Sequence, residues 1–136
     1  MDRFELRFHH VGLATRQPDI SLSFLQGLGY TPGTKTFDPE QNVNLVLCKH
    51  AHMPDMEVVY PTDSPGPLDV VLASGGESFY HFCYEVSDLS ASLSLLKSAG
   101  HRVVCVAPRK PAILFGGRFV SFYRIKGFGL IELLEP

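Results

Sequence analysis

The chain has 136 residues, 45% of them hydrophobic and 19% charged, with a formal net charge of −2 at pH 7. That length suits one domain, or two small halves sharing a core, and the composition excludes general disorder. No basic run exceeds Arg109-Lys110, and no apolar run approaches the roughly 18 residues of a spanning helix, so neither nucleic acid nor a membrane is the expected partner.

Met1-Asp2-Arg3-Phe4-Glu5 lacks the charged-then-apolar order of a signal peptide, and a cytoplasmic setting is expected. Phe4 to Ala14 alternates and reads as a first strand. Pro18 and Asp19 then suit a helix start. Its stripe is Ile20, Phe24 and Leu28, with Leu25 beside them, and Gly27 and Gly29 end it. Tyr30 to Phe37 is a weak strand broken at Pro32-Gly33, and Asp38 to Asn42 is turn chemistry. Val43 to Cys48 and Asp55 to Tyr60 are strands joined by a polar loop that carries His50 and His52. The connector, Thr62 to Gly76, has breaker clusters at both ends and one or two helical turns at Leu68 to Leu72.

The second half repeats this order. Phe79 to Val86 is a strand, Ser87 or Asp88 caps a helix with the stripe Leu89, Leu93, Leu96, and Gly100 closes it. Arg102 to Ala107 is a strand, Pro108 to Pro111 a loop, and Phe119 to Ile125 and Phe128 to Leu134 the last strands. Cys48, Cys83 and Cys105 all lie in apolar strand-like runs, and reduced core cysteines are the expectation.

Repetition extends to the polar residues. Met56-Glu57-Val58-Val59-Tyr60-Pro61 matches Ile131-Glu132-Leu133-Leu134-Glu135-Pro136. His10 and His81 each precede a helix-closing glycine, Gly29 and Gly100, by 19 positions. Each half of about 65 residues therefore carries one strand histidine followed by one strand glutamate. A carboxylate among aliphatics is costly to bury unless a cation or donor meets it. Two His and two Glu brought together by a pseudo-twofold axis make a mixed imidazole–carboxylate metal site.

Tandem β-α-β-β-β modules that pool histidines and glutamates resemble the vicinal oxygen chelate superfamily, the glyoxalase and bleomycin-resistance fold. Within it the chain is most similar to the methylmalonyl-CoA epimerase branch. The resemblance rests on His9-His10-Val11-Gly12-Leu13-Ala14, Pro39-Glu40-Gln41, the Glu57 run, Tyr80 to Val86 and Gly129 to Leu134. It implies an α+β fold in one domain spanning 1–136, with module one at about 6–61, a connector at 62–77 and module two at about 78–136. The two modules would curl a mixed sheet around a metal cleft.

The resemblance further implies a divalent ion (Co, Mn, Ni, Zn or Fe) held by His10, Glu57, His81 and Glu132. The ion would stabilise the enolate left when an α-proton is removed. Glu132 would be the base and Glu57 an electrostatic ligand. His9 falls on the opposite strand face from His10 and is expected to be packed or at the surface. Some epimerases carry a second catalytic glutamate on the strand after Pro-Glu-Gln; the aligned residue here is Leu45, which departs from that pattern and leaves Glu40 as a candidate substitute.

Gly116, Gly117 and Arg118 are candidate substrate-binding residues. Paired glycines let a backbone approach a ligand, and Arg118 suits a carboxylate or phosphate, although a plain turn with an exposed arginine fits equally. Arg109 and Lys110 face the same choice between coenzyme A phosphates and solvent. The function implied is a metal-dependent epimerase or isomerase acting on an acyl thioester, as a homodimer. The alternatives are a glyoxalase I-type lactoylglutathione lyase, or a non-catalytic small-molecule-binding protein.

Overall fold

A computed structural model describes residues 3–136. Among them the chain forms nine strands and three helices, an α+β fold built on a mixed sheet. Two compact units divide it inside the first and sixth strands. One, the His10 unit, is His10–Tyr80; the other, the His81 unit, joins residues 3–9 to His81–Pro136.

In the His10 unit, β1 (Leu6–Thr15) runs into α1 (Pro18–Gly27). Two short strands follow, β2 (Thr31–Pro32) and β3 (Thr36–Asp38), then the longer β4 (Val43–Lys49) and β5 (Asp55–Pro61), and the single turn α2 (Leu68–Val71). β5 is parallel to β1 and antiparallel to β4, which also pairs β2 and β3. Alternation on β5 sends Val58 and Tyr60 into a core with Leu25, Tyr30, Val46 and Cys48, and turns Glu57 to the other face.

Of the apolar residues expected to bury α1, Leu25 does so and Ile20, Phe24 and Leu28 do not. Ile20 and Phe24 are 65% and 68% exposed and Leu28 is also exposed, whereas Leu25 is buried and Leu22 packs partly against the core. Two stripes overlap in this short helix, 20/24/28 and 22/25, and the sheet takes the second.

The His81 unit contains β6 (Glu77–Val86), α3 (Leu89–Ser98), β7 (Val103–Pro111), a 3-10 turn (Ile113–Phe115), β8 (Phe119–Ile125) and β9 (Gly129–Leu134). Here β9 is parallel to β6 and antiparallel to β8, and β8 pairs β7. Asp88 rather than Ser87 caps α3, its Oδ1 accepting from the Ala91 N–H at 3.0 Å. Leu96 is buried, and Leu89 and Leu93 pack on Val86, Tyr123, Ile125, Ile131 and Leu133.

β7 runs through the loop expected at Pro108–Pro111, with register shifts between Cys105 and Ala107 and between Ala107 and Lys110. Its ladder partner is β8 alone among the described residues, and a strand paired on one side tolerates prolines and bulges. The same one-sided pairing corrects the expectation for Cys105, which is exposed, whereas Cys48 and Cys83 are buried.

Both long helices end in one motif. The N–H groups of Gly29 and Tyr30 donate to the Gln26 and Leu25 carbonyls, and those of Gly100 and His101 to Lys97 and Leu96. Both glycines take positive φ, +99° and +89°. This is the hydrogen-bond pattern that a left-handed residue just past a helix end produces. The histidine-to-glycine interval repeats because each histidine strand leads into a helix of 10 residues closed in this way.

At Gly29 a Cβ would also stand 3.0 Å from Nε2 of His50. That ring ties the helix end to the β4–β5 loop: Nε2 lies 3.1 Å from the Leu28 carbonyl, and Nδ1 accepts from the His52 and Met53 N–H groups. His50 therefore clasps the end of α1 to that loop.

Gly27 lies within the helix with nothing within 4 Å of an added Cβ. Gly27→Ala is expected to stabilise by about 0.5–1 kcal/mol, and Gly29→Ala to destabilise by about 1 kcal/mol or more. Thermal melts read both, and shifts of equal sign would contradict this helix end. Burial pushes the Cys48 thiol up to about 11. Native protein treated with iodoacetamide at pH 8 is expected to carry its label on Cys105, with Cys48 and Cys83 reacting only after denaturation. Peptide mass mapping shows the positions, and native labelling of Cys48 would refute its placement.

Candidate functional site

Each unit brings its predicted histidine and glutamate together. In the His10 unit, Nε2 of His10 lies 3.7 Å from Oε1 of Glu57, with side chains 0% and 6% exposed. In the His81 unit, Nε2 of His81 lies 3.2 Å from Oε1 of Glu132, with side chains 1% and 4% exposed. The same parallel ladder makes both pairs. Glu57 sits beside Gly12, two residues past His10, and Glu132 beside Cys83, two residues past His81. Residues two apart on a strand share a face, so each histidine shares its glutamate's face.

These distances bear on whether a metal fits. Two ligands bonded at about 2.1 Å and spread by 90–120° stand about 3.0–3.6 Å apart. The 3.2 Å pair falls in that range and the 3.7 Å pair sits at its edge. The longer spacing also exceeds a direct hydrogen bond. Imidazole nitrogen with carboxylate oxygen is a donor set that suits first-row divalent ions. Each pair fits such an ion.

The residues flanking the two carboxylates differ. Glu57 lies between Gly12 on β1 and Leu47 on β4. Leu45, buried, shares that face of β4, so it presents alkyl groups where a second acid was considered. Glu40 sits in an exposed turn whose N–H groups at Glu40 and Gln41 are held by the buried Asp38 carboxylate. Glu132 lies between Cys83 on β6 and Phe122 on β8. The Phe122 ring meets His81 edge-on, centroids 5.4 Å apart at 87°. Phe122 carried no sequence signal beyond its strand.

The Gly116-Gly117 turn closes on itself. Gly117 N–H donates to the Ala112 carbonyl, Arg118 N–H to Phe115, and Ala112 N–H to Arg118. Both glycines take positive φ, +65° and +80°, and an added Cβ would meet nothing within 4 Å, so they serve backbone conformation rather than close packing.

Arg118 holds an ion network. Its Nη2 donates to Oε2 of Glu85 at 2.9 Å and its Nε to the Glu135 carbonyl at 2.8 Å, while Arg7 takes Oε1 of Glu85. The hydrogen bond from Arg118, followed by that from Arg7, holds the Glu85 carboxyl below the usual glutamate range. Glu85 was not singled out in the sequence. The signal was there, because it stands between Tyr84 and Val86 much as Glu57 and Glu132 stand among their apolar neighbours.

Arg109 stacks on Phe119 at 4.2 Å and donates to Glu135 at 2.6 Å. His9 packs edge-on against Phe115 at 5.1 Å, and His101 against Phe4 at 5.5 Å.

The family model described as the Glyoxalase/Bleomycin resistance protein/Dioxygenase superfamily matches residues 9–122. An ethylmalonyl-CoA/methylmalonyl-CoA epimerase from Cereibacter sphaeroides is 30% identical over 135 residues, covering 93% of this chain and 96% of that one. The methylmalonyl-CoA epimerase of Mycobacterium tuberculosis superposes with a TM-score of 0.75 at 24% identity, over 96% of this chain and 87% of its own. A methylmalonyl-CoA epimerase in complex with methylmalonyl-CoA and NH4+ gives 0.73 at 21% identity, over 96% and 94%. Among the described residues, no helix is long and apolar enough to cross a membrane. By its matching family model and its epimerase relatives, the chain belongs to the glyoxalase/bleomycin resistance/dioxygenase, or vicinal oxygen chelate, superfamily.

Proposed function

We propose that this chain is an epimerase-type enzyme that removes the α-proton of an acyl thioester, with His10, Glu57, His81 and Glu132 holding one divalent ion between them. The observation that carries this reading is the pair of buried His–Glu contacts made in one register in both units. The 30%-identical relative, named as an ethylmalonyl-CoA/methylmalonyl-CoA epimerase, supports the substrate class.

When bound, the ion supplies Lewis-acid polarisation of the thioester carbonyl, which makes the α-proton acidic. His10 and His81 contribute neutral ring nitrogens. Glu132 takes the proton at a carboxylate oxygen, and its flanking Cys83 and Phe122 keep bulk water from competing for that oxygen. With alkyl groups at Leu45 and Leu47, Glu57 is the carboxylate left on its face of β4 and β5, and we assign it the role of an electrostatic ligand that would help hold the ion. Gly116, Gly117 and Arg118 are assigned to substrate contact, in a turn already shaped by its own hydrogen bonds.

Elemental analysis of the purified chain is expected to find about one divalent ion per chain, lost in His10→Ala and in Glu132→Ala. In heavy water, methylmalonyl-CoA is expected to gain deuterium at its α-carbon, and Glu132→Gln to slow this by roughly 10²–10⁴-fold. Metal retained by both alanine variants would reject the site. Turnover of the methylglyoxal–glutathione adduct without thioester exchange would instead identify a lyase.

A further inference from the structure

We propose that Phe122 is the residue that sets how large a substituent the α-carbon of the substrate carries. This rests on the proposed thioester chemistry and on the geometry of the His81 unit alone.

Phe122 stands directly across from Glu132 in the antiparallel β8–β9 ladder. Side chains at such positions have Cβ atoms about 4.5–5.5 Å apart and lie on one face of the sheet. The same ring meets His81 edge-on at 5.4 Å. One aromatic side chain thus borders both members of the pair. Its exposure differs from theirs: His81 and Glu132 are buried, whereas Phe122 is half-buried. Phe122 therefore keeps some accessible surface at the register position beside the carboxylate that receives the proton.

On the other flank, Cys83 is fully buried and already packed with Ala112, Val120, Leu134 and Phe115. That side has no surface left for a ligand. The partly open ring is the apolar surface at Glu132 that an incoming group meets.

Stereochemistry then assigns what it meets. A carbon that gives its proton to Glu132 stands within hydrogen-bond reach of that oxygen. Its remaining substituents are the carbonyl arm, which must reach the ion, a second electron-withdrawing arm, and an alkyl group. The alkyl group is the arm that can lie against a phenyl ring, whose bulk fills the space a longer chain would extend into, and the charged or carbonyl arms avoid it. The corresponding position beside Glu57 is Leu47, also half-buried and smaller. An apolar residue at this register is common to both units, but the larger one stands beside the glutamate assigned as base.

The test is a substrate series of 2-methyl-, 2-ethyl- and 2-propylmalonyl-CoA, followed by α-deuterium exchange in wild type, Phe122→Leu and Phe122→Ala. One methylene in an apolar contact is worth about 0.8 kcal/mol, or roughly fourfold in kcat/KM. Phe122→Ala is expected to raise the propyl-to-methyl ratio of kcat/KM by about tenfold, with Phe122→Leu between, and bound metal per chain unchanged in both. A ring that only propped His81 would lower all three substrates together and release metal; that outcome, or an unchanged ratio in a variant that still exchanges, overturns the assignment while leaving the thioester chemistry standing. Wild type that exchanges none of the three would remove the parent reading, and this one with it.

Discussion

An ionised carboxylate on a strand between aliphatic residues has to meet a positive or hydrogen-bonding partner, or it cannot stay charged inside a protein. Glu57 and Glu132 are both buried in such strands, and each faces an imidazole from the neighbouring parallel strand. A slip of one residue in either ladder would turn the glutamate to the opposite face, toward the helix-side core. The β1–β5 and β6–β9 registers and the positions of the two histidines are thus one constraint met twice. The helix that connects each histidine strand to the rest of its unit ends on a left-handed glycine at the same distance, so the polar pair and the local chain geometry repeat together.

That doubling made much of the chain legible. Gly29 and Gly100, the caps near Pro18 and Asp88, and the glutamate strands all carry signals within a few residues of themselves. What could not be read depended on the tertiary partner. Ile20, Phe24 and Leu28 have the spacing of a buried stripe, yet Leu22 and Leu25 face the sheet, because helical periodicity alone does not choose between two overlapping apolar faces. Pro108 and Pro111 read as a loop, but prolines are tolerated where a ladder is needed on one side only. Cys105 shares the apolar surroundings of Cys48 in sequence and is exposed for the same reason. His50 was indistinguishable from a solvated residue until its ring nitrogens were seen to close the α1 end on the β4–β5 loop.

The candidate site was legible to a different degree. Residue types and spacing identified the four buried side chains, because a charge that must be neutralised leaves a mark in the sequence. The residues around them leave none. Phe122 and Leu47 are ordinary strand residues, and only register places them beside Glu132 and Glu57. The two units therefore repeat in their polar residues and diverge in the neighbours of those residues: Gly12 and Leu47 in the His10 unit, Cys83 and Phe122 in the His81 unit. Members of this superfamily differ in chemistry on a shared scaffold, and divergence of these neighbours is where such differences can arise without disturbing the buried charges.

Arg118 shows how the same principle bears on the substrate contact proposed for it. Its guanidinium donates to Glu85 and to the Glu135 carbonyl, and Glu85 is held again by Arg7. A carboxylate or phosphate arriving at Arg118 has to compete with charge-assisted hydrogen bonds already made in a partly buried setting. Exchange of that kind is close to neutral in energy, since one anion replaces another, so in the substrate contact proposed above Arg118 would add orientation more than affinity. It also fixes the Gly116-Gly117 turn that precedes it, whose positive φ values tolerate few alternatives. The guanidinium thus already has a structural task in the His81 unit, which any substrate contact made there has to share.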